Sequence, residues 1–473
     1  NLKPRYITTT LPYVNMDPHI GFALEIIHAD VLARYWRLIG HDVFFTTGTD
    51  EHGQKIAEKA KENDQDTQQY VDHYANEFQN LKDVLNLSYD NFIRTTSGQH
   101  KHAAQELWRR CAAAGDIYKK SYKGLYCVGD EMFLKESDLV DGKCPNHPTL
   151  ELIEIEEENY FFALSKYQEH IRAYLNDPSV IMPEWRREEA IRFVEGGLED
   201  FSISREKARM SWGIPVPDDE EQVMYVWFDA LTNYISTLGW PEDGVGTFKK
   251  FWEEGSTLQL AGKDQVRFQS IMWQGMLLSA GIKPTDTVMY HGFITSGGQK
   301  MSKSLGNVIS PFELVNRYGT DATRYLLLRH VHPYGDTDIT HERLDDWYTA
   351  NLANGLGNLT ARIMKMAENN LEEKVEDFSL YDGDTSLESF SLQMGMENIW
   401  SRIGELDEFI AEKEPFKVVK TDPTEGKKMI SDLVRDLYHI ALRLQPYMPD
   451  TAEKIMAAIK ENKKPETLFA RID

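Results

Sequence analysis

The first fifty residues alternate between two hydrophobic patterns. Residues 6–12 are rich in β-branched and aromatic side chains and stop at a proline, which is typical of a strand. Apolar residues then recur at three- and four-residue steps over 20–38, which predicts a helix that ends near Gly40, and 43–47 form a second strand pattern. Strand, helix and strand in this order predict a right-handed parallel unit. Such a unit commits the chain to an α/β fold with ligands at the carboxyl ends of the strands.

The pattern changes three times further along the chain. Helical spacing dominates residues 67–114, and short strand-like pieces follow to residue 155, which predicts an inserted domain. The α/β character returns near residue 201, with strands predicted at 223–228 and 287–291. From residue 344 the patterns are almost entirely helical. The sequence therefore predicts an α/β domain split by an insertion and followed by a helical bundle.

Charge and composition narrow the class of protein. The formal net charge of the 473 residues is −24, which opposes non-specific attraction to a polyanion, so any RNA surface has to be a local basic or aromatic patch. Three cysteines are too few for a disulfide framework in a chain of this length. No apolar run approaches the roughly 20 residues of a membrane-spanning helix, and the first residues lead into a strand rather than a signal peptide. We expect a cytoplasmic protein.

Two polar clusters carry the chemistry. Residues 18–22, Pro-His-Ile-Gly-Phe, open the first predicted helix, where free N–H groups favour phosphate and His19 can donate a hydrogen bond to it. Residues 297–306, here named the lysine loop, carry Lys300 and Lys303 between glycines. Lysine is a mobile charge suited to phosphates, and the glycines permit the loop to close. Taken alone, His19 is more often a capping or surface residue. The alternative for the loop is a solvated basic segment, but a Lys-x-Ser-Lys-Ser run between glycines is uncommon in so acidic a chain.

In this order and this far apart, the two clusters resemble the paired signatures of the class I aminoacyl-tRNA synthetases. The resemblance implies a Rossmann-type parallel-sheet catalytic domain with a connective-peptide insertion, followed by an all-α helical-bundle anticodon-binding domain. The implied boundaries are 1–115 for the first half of the catalytic domain, 116–200 for the insertion with its knuckle, 201–290 for the second half, 291–345 for the signature-loop and stem-contact region, and 346–473 for the anticodon-binding domain.

The resemblance also implies a reaction. ATP, with Mg²⁺, is held between the two signatures, and the carboxylate of an amino acid attacks the α-phosphate to give an aminoacyl-adenylate and pyrophosphate. Catalysis is then electrostatic stabilisation and positioning. His19, Lys300 and Lys303 are the implied catalytic residues. The implied ATP-binding residues are His19, Gly21, Gly262, Asp264, His291, Lys300 and Lys303.

One position departs from the family's first signature, which normally ends in a second histidine. Here that position is Phe22, so one hydrogen-bonding contact to the nucleotide is missing or replaced by apolar packing. The loss of a preorganised donor costs roughly 2.7–4 kcal/mol when nothing compensates. Either Lys303 and backbone groups provide more of the stabilisation of the nucleotide, or turnover is modest.

Several segments resemble the methionine-specific members of the family, namely 11–15, 48–53, 159–162 and 225–230. Methionine requires an apolar, polarizable slot for its thioether and a carboxylate for its ammonium group. The resemblance assigns the ammonium to Asp50 and the Leu11 backbone. The remaining residues of the implied methionine site are Tyr13, Trp227, Ala230, Tyr234, Phe268, Gln269 and Trp273. We refer to these nine residues as the methionine pocket. Gln269 stands where many members have histidine and Phe201 where tryptophan is common, which leaves the size of the pocket open.

The insertion contains a possible metal site. Cys127, Asp130, Cys144 and His147 have the paired spacing of a zinc knuckle, except that Asp130 replaces a cysteine. Zinc accepts a carboxylate oxygen, although thiolates are commoner in structural sites. Two interpretations stay open: a Zn²⁺ site, or a degenerate knuckle held by hydrogen bonds and packing. We refer to residues 127–147 as the knuckle.

In the helical region, Asn351 and Arg362 fall on positions that read the anticodon in the family, and Phe416 occupies the place of a base-stacking tryptophan. Any aromatic face can stack a base, so the role of Phe416 survives the change. The partners implied are tRNA(Met), L-methionine and ATP. The additional C-terminal module that dimerises some relatives is not apparent after residue 468, so a monomer is expected.

Two rival functions remain at this point. Synthetases for leucine, isoleucine or valine carry much larger editing insertions, and the segments around Asp50 and Trp227 fit methionine better. A non-catalytic tRNA-binding or scaffold protein is suggested only by Phe22. Such a protein is expected to lose Lys303 or Asp50, and both are present. The expected function is therefore that of a ligase that activates L-methionine and transfers it to the 3′ end of tRNA(Met).

Overall fold

The computed structural model describes all residues from 1 to 473. None of its helices combines the length and the apolar character needed to cross a membrane. Its strands are β1 (Arg5–Thr8), β2 (Val43–Thr49), β3 (Asn91–Arg94), β4 (Ile117–Cys127), β5 (Met132–Leu134), β6 (Ile153–Phe162), β7 (Ile181–Met182), β8 (Phe201–Ser202), β9 (Ser204–Glu206), β10 (Pro215–Val216), β11 (Asp219–Met224), β12 (Ser256–Gly262), β13 (Thr287–His291), β14 (Ile294–Ser296), β15 (Gln299–Lys300) and β16 (Thr337–Ile339).

The α-helices are α1 (Ile20–Leu38), α2 (Gln54–Glu62), α3 (Thr67–Val84), α4 (Gly98–Ala113), α5 (Gln168–Leu175), α6 (Glu184–Glu195), α7 (Val226–Leu231), α8 (Asn233–Ser236), α9 (Trp273–Ser279), α10 (Pro311–Tyr318), α11 (Thr320–His330), α12 (His341–Trp347), α13 (Asn358–Asn370), α14 (Thr385–Glu388), α15 (Leu392–Lys413), α16 (Pro415–Thr421), α17 (Pro423–Leu444) and α18 (Pro449–Glu461). The longest π-helical segment, Tyr348–Gly357, joins α12 to α13. After β16 the chain contains helices and no further strand, as the sequence predicted.

The central sheet has the strand order β3-β2-β1-β12-β13-β7. β1 pairs in parallel with β2 on one side and with β12 on the other, so the predicted parallel strand–helix–strand unit is confirmed. β7 lies within the segment expected to be the insertion, yet it pairs in parallel with β13 at the edge of this sheet. The chain thus returns to the central sheet before residue 200, and the predicted domain boundaries stay predictions.

The chain forms two compact units. The first contains residues 1–17, 42–80 and 89–290, and its core gathers aromatic side chains such as Trp252 and Trp273, both fully buried. The second contains residues 18–41, 81–88 and 291–473. In that unit Arg324 is fully buried and forms an ion pair of 2.7 Å with Asp30 of α1.

Two predictions about strands were wrong. Residues 223–228 were expected to form one strand of the split sheet, but β11 ends at Met224 and α7 begins at Val226. β11 also pairs with β9 and β10 in a separate antiparallel sheet. A short apolar run reads alike in a buried strand and in a buried helix, which explains the error. β3 was missed because its four residues lie between two strongly helical patterns.

Candidate active site

The methionine pocket is assembled where the central strands end. Leu11 follows β1, and Asp50 follows β2 directly. Two backbone hydrogen bonds, from Asp50 N to Pro12 O (2.9 Å) and from Val14 N to Asp50 O (3.2 Å), hold these two chain segments together. Gly262 and Asp264 lie at the end of β12, which is the other neighbour of β1. Residues far apart in the sequence therefore meet at the edge where parallel sheets bind ligands.

Asp50 is a buried carboxylate in an acidic environment. Its side chain has one oxygen, Oδ1, that is buried without a hydrogen-bond partner. Burial, followed by the negative charge of Asp229, raises the pKa of Asp50 well above its ordinary value. A buried carboxylate without a counter-ion is costly unless a cation completes the site. This geometry is therefore suited to a ligand that carries an ammonium group.

Two aromatic side chains of the pocket are stacked on each other. The ring centroids of Trp227 on α7 and Phe268 are 3.9 Å apart, and the planes differ by 11°. Both residues are only partly buried, whereas Tyr234 and Trp273 lie in the core with ring centroids 5.8 Å apart. The structure thus brings these four predicted aromatic residues together as one partly exposed, stacked pair and one buried pair.

A chain of polar groups supports this wall from behind. Gln269 is fully buried, donates to Thr10 Oγ1 (3.1 Å) and accepts from Gln259 Nε2 (3.0 Å). Gln259 in turn accepts from the indole N–H of Trp273 (3.1 Å). Thr10 and Gln259 were not predicted from the sequence. The only signal was a glutamine between two leucines in the strand β12.

His19 is the N-cap of α1, so the capping explanation describes its conformation in the structure. Its Nδ1 accepts a hydrogen bond from Gly21 N (3.0 Å). A Cβ at position 21 would lie 2.7 Å from the imidazole ring, so glycine makes room for the ring. Burial, and then the charge of Lys300, lowers the pKa of His19. With Nδ1 accepting, the neutral ring carries its proton on Nε2, and that N–H is free to be donated to a phosphate.

The lysine loop is a short hairpin that continues into one turn of 3-10 helix. Gly297 and Gly298, both with positive φ, connect β14 to β15, as a tight hairpin requires. Lys300 ends β15 and Lys303 begins the 3-10 turn, and both side chains are exposed. The turn is closed by Gly306, in the left-handed conformation. Two exposed cations are thus held by a compact scaffold.

Two residues that anchor this loop were missed in the sequence. Asp338 of β16 accepts hydrogen bonds from Gly298 N (2.7 Å) and from Thr295 (2.8 Å). Asn307 accepts from Ser302 N (2.9 Å) and donates to Lys300 O (3.2 Å). Neither belongs to a recognisable motif, because these partners are three backbone groups and the Thr295 hydroxyl, whose positions depend on the folded loop.

His291 already has protein partners for both ring nitrogens. Nε2 lies 2.7 Å from Glu25 Oε1, and Nδ1 lies 2.9 Å from Gly292 O. A side-chain contact to ATP therefore requires that the ring release one of these partners. Its predicted ATP-binding role stays a prediction.

The knuckle brings its four candidate ligands together. One ligand atom from each of Cys127, Asp130, Cys144 and His147 lies within 4.8 Å of all the others. His147 Nδ1 is 3.0 Å from an oxygen of Asp130, and the two Sγ atoms are 3.8 and 3.9 Å from His147 Nδ1. Ligands about 2.0–2.3 Å from a tetrahedral zinc ion have separations of this size. The donor set therefore fits Zn²⁺.

The predicted anticodon residues lie on different helical segments. Asn351 is in the π-helical segment, and its backbone oxygen accepts from the indole of Trp400 (3.0 Å). Arg362 on α13 faces Asp407 of α15 at 3.8 Å. Phe416 on α16 is 40% exposed, which leaves its ring available for stacking.

Known proteins resemble this chain over nearly its whole length. The family described as tRNA synthetases class I (M) matches residues 5–151 and 149–364. A methionine–tRNA ligase of Rhizobium meliloti is 40% identical over 474 residues, which cover 96% of this chain and 91% of the relative. This chain belongs to the methionyl-tRNA synthetases. It activates methionine with ATP and charges tRNA, and the predicted function is confirmed.

Solved methionyl-tRNA synthetases agree with the fold. The Mycobacterium tuberculosis enzyme in complex with methionyl-adenylate has a TM-score of 0.89 and 37% identity, covering 96% of this chain and 93% of that one. The free-state structure of the same species has a TM-score of 0.82 and 33% identity, covering 100% and 96%. The predicted Rossmann-type fold with a helical C-terminal region is confirmed, and the rival synthetases and the scaffold interpretation are set aside.

Proposed function

We propose that the methionine pocket binds its substrate through Asp50 and the Leu11 backbone at the ammonium end and through the aromatic residues at the thioether end. The unpartnered Oδ1 of Asp50 carries this proposal, since a buried carboxylate among other carboxylates gains most from a cationic ligand. Trp227 and Phe268 form the partly exposed wall, and the buried wall is formed by Tyr234, Trp273, Ala230 and Gln269. Tyr13 closes the side next to Asp50.

We propose further that the two signatures have separate roles in binding and activating ATP. The Nε2–H of His19 donates a hydrogen bond to a phosphate oxygen. The hydrogen bond accepted by Nδ1 and the lowered pKa favour this contact, because they keep the ring neutral with its proton on Nε2. Lys300 and Lys303 neutralise charge that develops on the phosphates as pyrophosphate leaves. Gly21 and Gly262 permit close approach of the nucleotide, and Asp264 accepts from the ribose hydroxyls. Mg²⁺, when bound with ATP, adds neutralising charge on the phosphates.

The tRNA, the residues that contact its anticodon and the oligomeric state are proposed from the same family resemblance. We propose tRNA(Met) as the tRNA, with Asn351, Arg362 and Phe416 at the anticodon, and a monomer as the working state. The exposed ring of Phe416 supports a stacking role. The cytoplasmic location stays a prediction.

We also propose that the knuckle binds Zn²⁺ through Cys127, Asp130, Cys144 and His147. Without a cation, burial raises the pKa of Cys144 to about 12, so its thiol stays protonated beside Asp130. Zinc would supply structural cross-linking here, because four protein ligands leave no open position for a substrate.

The test of the pocket is methionine-dependent exchange of labelled pyrophosphate into ATP, run beside leucine, isoleucine and valine. Exchange with methionine at least about 100-fold above the other three supports these assignments, since a pocket distinguishes apolar side chains by roughly 1–3 kcal/mol. Comparable exchange with leucine would reassign the pocket. Charging of a tRNA(Met) transcript, compared with one altered in the anticodon, tests the helical residues in the same preparation.

A further inference from the structure

Glu131 connects the knuckle to the methionine pocket. It follows the candidate metal ligand Asp130 directly in the chain, and its side chain is buried, with 4% of its surface exposed. Its Oε1 accepts a hydrogen bond from the hydroxyl of Tyr13 (3.0 Å). The same oxygen accepts from the backbone N–H of Lys55 (2.7 Å), at the start of α2. One carboxylate therefore joins three segments of the chain.

The conformation of Glu131 is held by its surroundings. Its φ is +52°, a left-handed conformation that costs a non-glycine residue free energy and persists only where neighbours enforce it. Its carbonyl oxygen accepts from the guanidinium of Arg205 (3.1 Å). That guanidinium is buried among the rings of Tyr126, Phe133 and Tyr225, at 4.5–5.6 Å from their centroids. The backbone at Glu131 therefore has little freedom to shift unless Arg205 and the rings around it shift as well.

Glu131 is also closely packed where it meets Gly53 and Tyr13. Gly53 has φ +128°, and a Cβ there would lie 2.4 Å both from an oxygen of Glu131 and from the Tyr13 hydroxyl. The N-cap residue of α2 is this glycine, which has no side chain to cap the helix. Glu131 supplies the missing acceptor from a distant part of the sequence. Tyr13 is also tied to Asp50 by a backbone bridge, so its position bears on the ammonium site.

We propose that Glu131 is a positioning residue that couples metal binding at the knuckle to methionine binding in the pocket. A metal ion fixes Asp130, the adjacent Glu131 fixes the Tyr13 ring and the start of α2, and the pocket is thereby held in its binding conformation. The inference rests on the proposed function, both for Tyr13 in the pocket and for a metal at the knuckle. Because coupling between two sites is reciprocal, methionine must strengthen metal binding by the same factor.

The experiment uses the full-length chain, stripped of metal by a chelator and reloaded with Co²⁺, whose thiolate charge-transfer and d–d absorption report the ligand set independently of activity. The variants are Glu131→Met, which keeps the length but removes both carboxylate oxygens that accept hydrogen bonds, Tyr13→Phe, which removes only the hydroxyl, and the matched control Glu136→Met. Glu136 is an exposed carboxylate on the same knuckle. Methionine KM and kcat for pyrophosphate exchange, and the Co²⁺ dissociation constant with and without methionine, are measured for each protein.

In the wild type and in Glu136→Met, Co²⁺ is expected to lower the methionine KM about tenfold with little change in kcat, and methionine to tighten Co²⁺ binding about tenfold. In Glu131→Met and Tyr13→Phe both factors fall to near one, while the Co²⁺ spectrum stays intact. A spectrum that survives shows that the knuckle of the variant is folded.

Three results overturn the inference. Undiminished coupling in Glu131→Met means that another path connects the sites, and a wild-type KM that does not change when Co²⁺ binds means that they are not coupled. Absence of Co²⁺ absorption removes the proposed metal site and the inference with it, whereas wild-type exchange that does not depend on methionine locates the failure in the proposed pocket.

Discussion

In the methionine pocket, Gln269 and Trp273 are completely buried and joined through Gln259, whereas Lys300 and Lys303 of the lysine loop stand in solvent. The pocket derives its shape from packing and from hydrogen bonds between segments that are distant in the sequence. The loop derives its shape from local backbone bonds and two positive-φ glycines. A preorganised interior is suited to selecting a substrate, and an exposed charge is suited to following phosphates through a reaction. Substitutions in the two regions should therefore affect different kinetic constants.

The largest expected effect is that of Lys303→Ala. Loss of a charge that acts on the departing pyrophosphate should lower kcat for exchange by about 10²–10³ and leave the methionine KM nearly unchanged. Because the side chain is exposed, the melting temperature should not move. Lys464→Ala, at another exposed lysine, is the control. An increase in methionine KM with constant kcat would break the division between pocket and loop.

The second effect concerns Asp50→Asn. Removal of the carboxylate that pairs with the methionine ammonium should raise the methionine KM about 100-fold, because one partner of a buried charge pair is typically worth roughly 2–5 kcal/mol. The KM for ATP should change far less. Pyrophosphate exchange with each substrate varied in turn measures both constants. A methionine KM within threefold of wild type would remove Asp50 from the ammonium site.

The same substitution should stabilise the protein without ligand, in a manner that depends on pH. The pKa of Asp50 is raised above its ordinary value of 3.8 by burial and by Asp229, Glu131 and Glu51. Between that value and the folded-state pKa the folded protein binds more protons than the unfolded chain, so the free energy of unfolding falls as pH rises. Asp50→Asn abolishes this fall.

Urea unfolding without methionine provides the measurement. The variant should be more stable than wild type at pH 8 and should differ little from it at pH 4. A variant that is less stable than wild type at pH 8 would mean that Asp50 has a counter-charge in the free protein.

The smallest effect is expected for Phe268→Leu. An aromatic pair is worth about 0.5–1.5 kcal/mol beyond its buried area, so loss of the stack on Trp227 should raise the methionine KM about threefold to tenfold. Phe193→Leu, at a partly exposed ring on α6, is the control. A change in kcat alone would show that the stacked pair acts on the chemical step rather than on binding.

The parts of the fold that the sequence predicts are those with long, regular patterns. β1, α1 and β2 were predicted because nineteen helical residues separate two β-branched runs. Residues 223–228 were assigned wrongly because six apolar residues do not distinguish a strand end from the start of α7. Periodicity reports which face is buried and reports nothing about which segments meet.

The residues of the candidate site also fall into those that the sequence predicts and those that it does not. His19, Asp50 and the two lysines were found because they lie in recognisable local motifs. Thr10, 259 residues from its partner Gln269, and Glu131, 118 residues from Tyr13, have no such local signal. Their roles follow only from three-dimensional proximity.

The architecture of the lysine loop has a mechanical consequence. Lys300 is mounted on a strand whose turn is pinned by Asp338, and Lys303 stands beyond it on a single helical turn that ends at Gly306. The two cations therefore stand on different elements, a strand and a helical turn, which Asn307 links through Ser302 N and Lys300 O. An extra residue inserted after Met301 would displace Lys303 and leave Lys300 on its strand. The contributions of the two lysines can therefore be separated by chain length while both charges are retained.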